Sequence, residues 1–258
     1  MTNALYLNDS YLKEFSAKII KAEGNKIILD QTAFYPEIIG SDQATDPKGL
    51  AFQTCSGSAS VCGGQLCDFG KLIRNNEEFN ITDVRKENDE IVHYTDKEGL
   101  KIGDEVKGII DWDRRYKMMR MHTAAHILSA IINLQTGALI TGNQLGLEKS
   151  RIDFNLAAFD REAFKDYFAS ANDAVKWDLP IMVDVYPVDQ IINDKKLCKL
   201  AKGLPPNLKE VRIVEIEMFD KQADVGTHVK FTKEVGKIEM LDSENKGADN
   251  RCIYFKLE

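Results

Sequence analysis

The sequence predicts an α+β fold in two parts: a small β-barrel domain over residues 1–111 and a mixed α+β domain over 112–258. Three observations predict it. Short apolar runs broken by turn signals fill the first 111 residues. A stretch without Gly or Pro, Arg114 to Leu134, then carries apolar residues at helical spacing. Beyond it, short alternating runs return around one further helical segment.

Phe15 to Ala22 and Lys26 to Asp30 are apolar runs joined by Glu23-Gly24-Asn25, a turn signal. Pro36 stops regular pairing after Thr32 to Tyr35. Residues 40–70, rich in Gly, Ser, Asp and Gln, read as loops with short strands. Ile91 to Tyr94 and Glu105 to Asp111 read as strands, with Gly99 and Gly103 between them. At Trp112 the pattern changes. Met118, Met121, Ala125, Leu128 and Ile132 recur at steps of three and four, an amphipathic helix with Asp113 as its N-cap and Gly137 as its end. Arg151 to Leu156 reads as a strand, and Asp160 caps a second helix reaching about Val175. Ile181 to Tyr186, Val211 to Ile216, Val229 to Phe231, Lys237 to Leu241 and Ile253 to Leu257 read as strands, with a loop at Gly203-Leu204-Pro205-Pro206.

The 258 residues, 43% hydrophobic and 29% charged, have ordinary globular composition. No run approaches the roughly 18 apolar residues of a membrane helix. Met1 to Phe15 carries Asn3, Asn8, Asp9 and Glu14, so no secretory leader is expected. Five cysteines exclude a disulfide scaffold and point to a reducing, cytoplasmic setting. The net charge of −7 argues against a non-specific nucleic-acid coat, while leaving room for a local basic patch. Arg114, Arg115, Lys117 and Arg120 form such a cluster, or the solvated first turns of a helix.

Four histidines occur: His93, His122, His126 and His228. His122 and His126, four apart on a helix, share one face and can share a metal ion, or they are ordinary buried histidines. The Glu of a His-Glu-x-x-His protease is replaced by Thr123, which argues against peptide hydrolysis. Asp224, four before His228 with Gly226 between, supplies a carboxylate and an imidazole from one loop, or forms a plain turn before a strand. Together the four residues make an N/O set suited to zinc. His93 reads as a barrel residue. Cys55, Cys62 and Cys67 invite a second metal site but lack a Cys-x-x-Cys pair, and Cys198 and Cys252 read as structural.

His122-Thr123-Ala124-Ala125-His126, followed about a hundred residues later by Gly226-Thr227-His228-Val229, resembles the editing domain of alanyl-tRNA synthetase. It resembles the free-standing alanyl-tRNA editing proteins of the AlaX group even more. Leu29 to Glu37 is similar to the family's barrel signature, and Asp111 to Ala130 to its metal helix. Arg212-Ile213-Val214 and Glu244 to Gly247 with Asn250-Arg251 are similar to its closing segments, so the resemblance spans nearly the whole chain. It implies a fold of the threonyl/alanyl-tRNA synthetase second-additional-domain type after the barrel. Two departures stand out. Asp224 occupies the place of the family's Cys ligand, and Glu37-Ile38-Ile39-Gly40-Ser41-Asp42-Gln43 replaces a glycine motif of the substrate-facing region.

The resemblance implies a trans-editing hydrolase that deacylates mischarged tRNA(Ala), chiefly seryl-tRNA(Ala) and also glycyl-tRNA(Ala), in the service of translation fidelity. The site it implies comprises one zinc ion held by His122, His126, Asp224 and His228. Thr123 and Thr227 each stand beside a ligand, and either one of them contacts the serine hydroxyl or they hydrogen-bond backbone and shape the site. Arg114, Arg115, Lys117, Arg120 and Arg151 are the tRNA contacts it implies, and Gln43 a substrate-positioning residue. The metal either activates water or holds the substrate's 3′ end. No ATP-driven charging is expected. Three other readings stay open: a metal-dependent hydrolase of a small ester or amide, a tRNA-binding module whose catalysis has decayed, and a structural zinc domain. Arg151 with Asp153 reads equally as a structural ion pair.

Overall fold

The computed structural model describes residues 2–37, 64–156, 160–191, 197, 209–247 and 250–258, and the backbone of 43–45 and 51–53. Contacts divide the chain into two compact units. One comprises Met1–Ile39 and Gln65–Met118, the other Gly40–Gly64 and Met119–Glu258.

The first unit is a closed six-stranded barrel. Its strands are β1 (Glu14–Glu23), β2 (Lys26–Leu29), β3 (Gly70–Arg74), β4 (Glu77–Glu87), β5 (Glu90–Thr95) and β6 (Glu105–Ile110). They close in the order β6-β1-β2-β5-β4-β3, and each pairing is antiparallel. Along β1 the side chains alternate. Phe15, Ala17 and Ile19 are buried while Ser16 and Lys18 face outward, as the two-residue period of a strand requires. At the seam, Phe15 pairs with Gly108, where any Cβ would stand 2.3 Å from the Phe15 ring.

Strands β3 and β4 were absent from the sequence reading. Their turn is Asn75-Asn76 with φ of 48° and 68°, and Asn88-Asp89, with φ of 47° and 64°, joins β4 to β5. Two successive positive-φ residues form the tight turn that suits the twist of a hairpin, and Asn and Asp tolerate it. Both dipeptides were a legible hairpin signal. His93 lies wholly inside on β5, its ring nitrogens 2.8 Å from Thr32 Oγ1 and 3.2 Å from the Ile27 carbonyl, so the barrel reading of this residue holds.

Helix α1 (Trp112–Thr136) begins two residues earlier than expected. Its cap is Asp111, whose Oδ1 accepts from the Arg114 amide at 3.2 Å, and not Asp113. Gly137 closes it at φ 75°, donating to the Asn133 carbonyl. The expected amphipathic stripe is also corrected, since every residue from 121 to 132 is buried. Ala124, Ala125, Ser129 and Ala130 fill the positions between the large apolar ones, so no polar face remains to be solvated.

In the second unit, β7 (Ile140–Gln144), β8 (Ser150–Phe154), β12 (Ile238–Asn245) and β13 (Arg251–Leu257) form an antiparallel sheet in the order β7-β8-β13-β12. A second sheet runs β9 (Ile181–Pro187), β10 (Glu210–Ile216), β11 (Asp220–Ala223) in that order. Asp160 caps α2 (Arg161–Lys176) by accepting from the Glu162 and Ala163 amides, as expected. The buried face of α2 carries Phe164, Phe168, Ala171, Ala174 and Val175, and Asn172 exchanges two hydrogen bonds of 2.8 Å with the Ile238 backbone. The strand expected at Val229 to Phe231 is reduced to one bridge between Phe231 and Pro180, because a 3-10 turn, Thr232–Val235, follows at once. No helix among the described residues is long and apolar enough to cross a membrane.

Candidate metal centre

Two elements of the second unit build the centre. Helix α1 presents His122 and His126 one turn apart, with ring centroids 5.2 Å apart. The loop leaving β11 supplies Asp224 and His228. All four side chains are buried, and one donor atom from each lies within 4.8 Å of the others. The Nε2 atoms converge on one carboxylate. His122 and His126 approach Asp224 Oδ1 at 3.4 and 3.9 Å, and His228 approaches Oδ2 at 3.1 Å.

Gly226 makes that convergence possible. A Cβ there would stand 2.1 Å from His122 Cε1 and 2.2 Å from Nδ1, and the Gly226 amide donates to Asp224 Oδ2 at 2.6 Å. The outer nitrogens are held as well. His228 Nδ1 is 3.1 Å from Thr123 Oγ1, which also accepts from the Val229 amide. His126 Nδ1 is 2.7 Å from Gln222 Nε2 and 3.4 Å from Asp220 Oδ2. The Arg212 guanidinium donates to the Asp224 carbonyl at 2.9 Å and lies 3.8 Å from its carboxylate.

The electrostatics follow from crowding in a buried site. Burial alone would raise the Asp224 carboxyl. Attraction to His122 and hydrogen bonds from all three imidazoles instead hold it well below the usual carboxylate range. Burial pushes His122 down against the pull of Asp224, and pushes His228 well down with help from its imidazole neighbours. Burial also opposes protonation of His126, but Asp220 and Asp224 outweigh it and leave that ring at about 8. His122 and His228 are thus held neutral beside an ionised Asp224, as a divalent cation needs, and His126 gives up its proton when such an ion binds, so the donor set fits such an ion.

Other expected site residues fall differently. Thr123 and Thr227 are both wholly buried, and the Thr123 hydroxyl contacts His228 Nδ1 and accepts from the Val229 amide. Arg115 is corrected outright. It is buried and ion-paired with Asp68, with Nε 3.0 Å from each carboxylate oxygen, and its guanidinium also donates to the Ser10 and Ala33 carbonyls. Arg120 donates to the Val235 and Glu258 carbonyls at 2.8 and 2.9 Å. Arg151 is buried against Asp153 at 3.2 Å, which realises its structural reading. Arg114 lies over the Phe69 ring and donates to the Cys67 carbonyl, while Lys117 is exposed. The backbone of Gln43 pairs with Gln53, but its side chain lies outside the described residues, as do residues 38–42, Cys55, Cys62 and Cys198. Cys67 is buried and donates to Asp83 Oδ1 at 3.4 Å, and burial pushes its thiol up to about 12. Its sulfur and carboxylate oxygens of Glu37 and Asp83 lie within 4.8 Å of one another.

Residues 211–254 match the model of the threonyl and alanyl tRNA synthetase second additional domain. Over its whole length the chain is 45% identical to the alanyl-tRNA editing protein AlaX-M of Methanosarcina barkeri, of which it covers 99%. It is 38% identical to that of Saccharolobus solfataricus, with both chains covered in full. The chain belongs to the alanyl-tRNA editing protein family.

This editing protein is also 33% identical to the alanine–tRNA ligase of Pyrococcus abyssi, over 94% of its own length and 24% of the ligase. The matched domain contains β11 and the loop after it, so Asp220, Gln222, Asp224 and His228 all fall inside it. Asp220, Gln222 and Arg212 were missed as site residues. The available signal was the spacing Asp220-x-Gln222-x-Asp224, which puts polar groups on one side of a short strand.

Proposed function

We propose that this editing protein hydrolyses the ester bond of tRNA(Ala) mischarged with serine, and with glycine, at a single zinc ion. The observation that carries the reading is the buried convergence of His122, His126 and His228 on Asp224. Three imidazole nitrogens and one carboxylate oxygen are a zinc-type set. Zinc there would supply either an activated water or an anchor for the substrate's 3′ end. The protein's own residues do the rest. Thr123 orients His228, Gly226 admits His122 beside the loop, and Arg212 fixes the Asp224 backbone. The exposed Lys117 and the half-buried Arg114 are the phosphate contacts that remain from the basic cluster. Residues 1–111 serve as the barrel domain and 112–258 as the editing domain, working in the cytoplasm.

The chemistry explains why a second site is useful. A pocket built for alanine cannot strongly reject the smaller glycine, and serine adds a single hydroxyl. The bond to be cut is an activated ester, so a well-placed water suffices without a strong general base.

The test is deacylation of seryl-tRNA(Ala) beside alanyl-tRNA(Ala), with native protein and His228→Ala, each assayed for bound metal. Expected are fast loss of serine, sparing of alanine, and loss of both metal and activity in the variant. Bound metal without deacylation would favour a decayed tRNA-binding module or a small-ester hydrolase. Asp224 in the place of the family's Cys is the observation that keeps that second reading in play.

A further inference from the structure

Asp220 and Gln222 sit two apart on β11, so both side chains leave the strand on the same face. That face meets His126 from behind. Its Nε2 looks toward Asp224, and its Nδ1 looks toward Gln222 Nε2 at 2.7 Å and Asp220 Oδ2 at 3.4 Å. Gln222 Nε2 also donates to Asp220 Oδ2 at 3.0 Å. The Asp220 side chain is wholly buried, a costly place for a carboxylate unless its charge is used.

A neutral imidazole that coordinates through Nε2 must carry its proton on Nδ1. The amide nitrogen of Gln222 has no lone pair to offer that proton, whereas a carboxylate oxygen does. The present contact, an amide N–H facing Nδ1, therefore suits the tautomer with the proton on Nε2, which is the one that cannot bind an ion there. Asp220 can accept from the metal-binding tautomer.

We propose that Asp220 is a positioning residue for the metal centre, accepting the Nδ1 proton of His126 so that its Nε2 is presented to the ion, with Gln222 holding the carboxylate in place. This rests on the metal reading above and extends it outward by one layer of side chains. Carboxylates behind a ligand histidine fix its orientation and raise its basicity, and their removal weakens metal binding by about 10–100-fold.

The experiment measures affinity of the full-length apoprotein for Zn²⁺ and for Co²⁺ by competition with a chromophoric chelator. Native protein, Asp220→Asn, Asp220→Glu and Gln222→Met are compared, and each apoprotein's melting temperature is recorded. Expected is a loss of about 10–100-fold in Asp220→Asn. Asp220→Glu should recover part of it, Gln222→Met should lose less than Asp220→Asn, and the apoprotein melting temperatures should stay close together. The ring ¹⁵N spectrum of the metal-loaded native protein needs no variant to fold, and should show His126 protonated on Nδ1 and coordinated through Nε2. Unchanged affinity in Asp220→Asn, or coordination of His126 through Nδ1, overturns the assignment while leaving the metal centre standing. A native protein that binds neither ion overturns both.

Discussion

Gly226 occupies a place where a single methyl group would collide with a ligand imidazole. Gly226→Ala would put a carbon 2.1 Å from His122 Cε1 and 3.1 Å from Asp224 Oδ2. The expected outcome is a drop in metal affinity of at least about tenfold, because ligand geometry tolerates little displacement, read by the same chelator competition. Asp224→Cys replaces a hard oxygen by a soft sulfur, so zinc should bind more tightly relative to Mg²⁺ or Mn²⁺. A ratio of zinc to manganese affinity that does not rise would show that the carboxylate is no outlier in this centre. At this scale much was legible. His122 and His126 stand four apart on an unbroken helical stretch, and Asp224 and His228 flank a glycine. Arg115 was not, because its partner Asp68 lies 47 residues away and nothing local marks the pair as internal.

The elements carry their own consequences. On β5, burial pushes His93 down to about 4, so the fold keeps the ring neutral where the unfolded chain takes up a proton near 6.5. Its contribution is complete above pH 6.5 and is lost as the pH falls toward 4. Between about pH 7.5 and about pH 5 the native protein should lose about 2 kcal/mol more stability than His93→Gln, whose amide cannot titrate in this range. Urea midpoints at the two pH values measure the difference. Helix α1 shows why an element can be found while its surroundings are not. The absence of Gly and Pro and the three-four spacing identify the helix, but burial of its remaining faces depends on strands distant in sequence. Strand β11 is only four residues long and three of them are polar, so no apolar alternation marks it as a strand and only the two-residue spacing of Asp220 and Gln222 hints at a shared face.

At the scale of the whole molecule, the first unit is tied through one buried cation. Arg115 joins Asp68, the Ser10 carbonyl and the Ala33 carbonyl, and Asp68 also accepts from the Tyr35 amide, so separate stretches of chain meet at one guanidinium. Removing one partner strands the other charge. Asp68→Ala should cost about 3–5 kcal/mol in urea unfolding, whereas Lys117→Ala should leave stability within about 0.5 kcal/mol. Equal effects in the two variants would contradict the internal role of the pair. Both the barrel and the mixed part were legible in outline, since turn residues and period changes punctuate the chain. Which strand closes on which was not, because the seam joins residues about ninety positions apart.

That seam also sets an order of events during synthesis. Strand β1 leaves the ribosome early, yet the neighbour that completes its sheet, β6, is not made until residue 110 has been added. For most of the time the first unit is being translated, the apolar side of β1 has no permanent cover. Chains released early, by a premature stop before residue 105, would therefore leave β1 with an open edge beside an uncovered apolar face of Phe15, Ala17 and Ile19, and should be prone to self-associate.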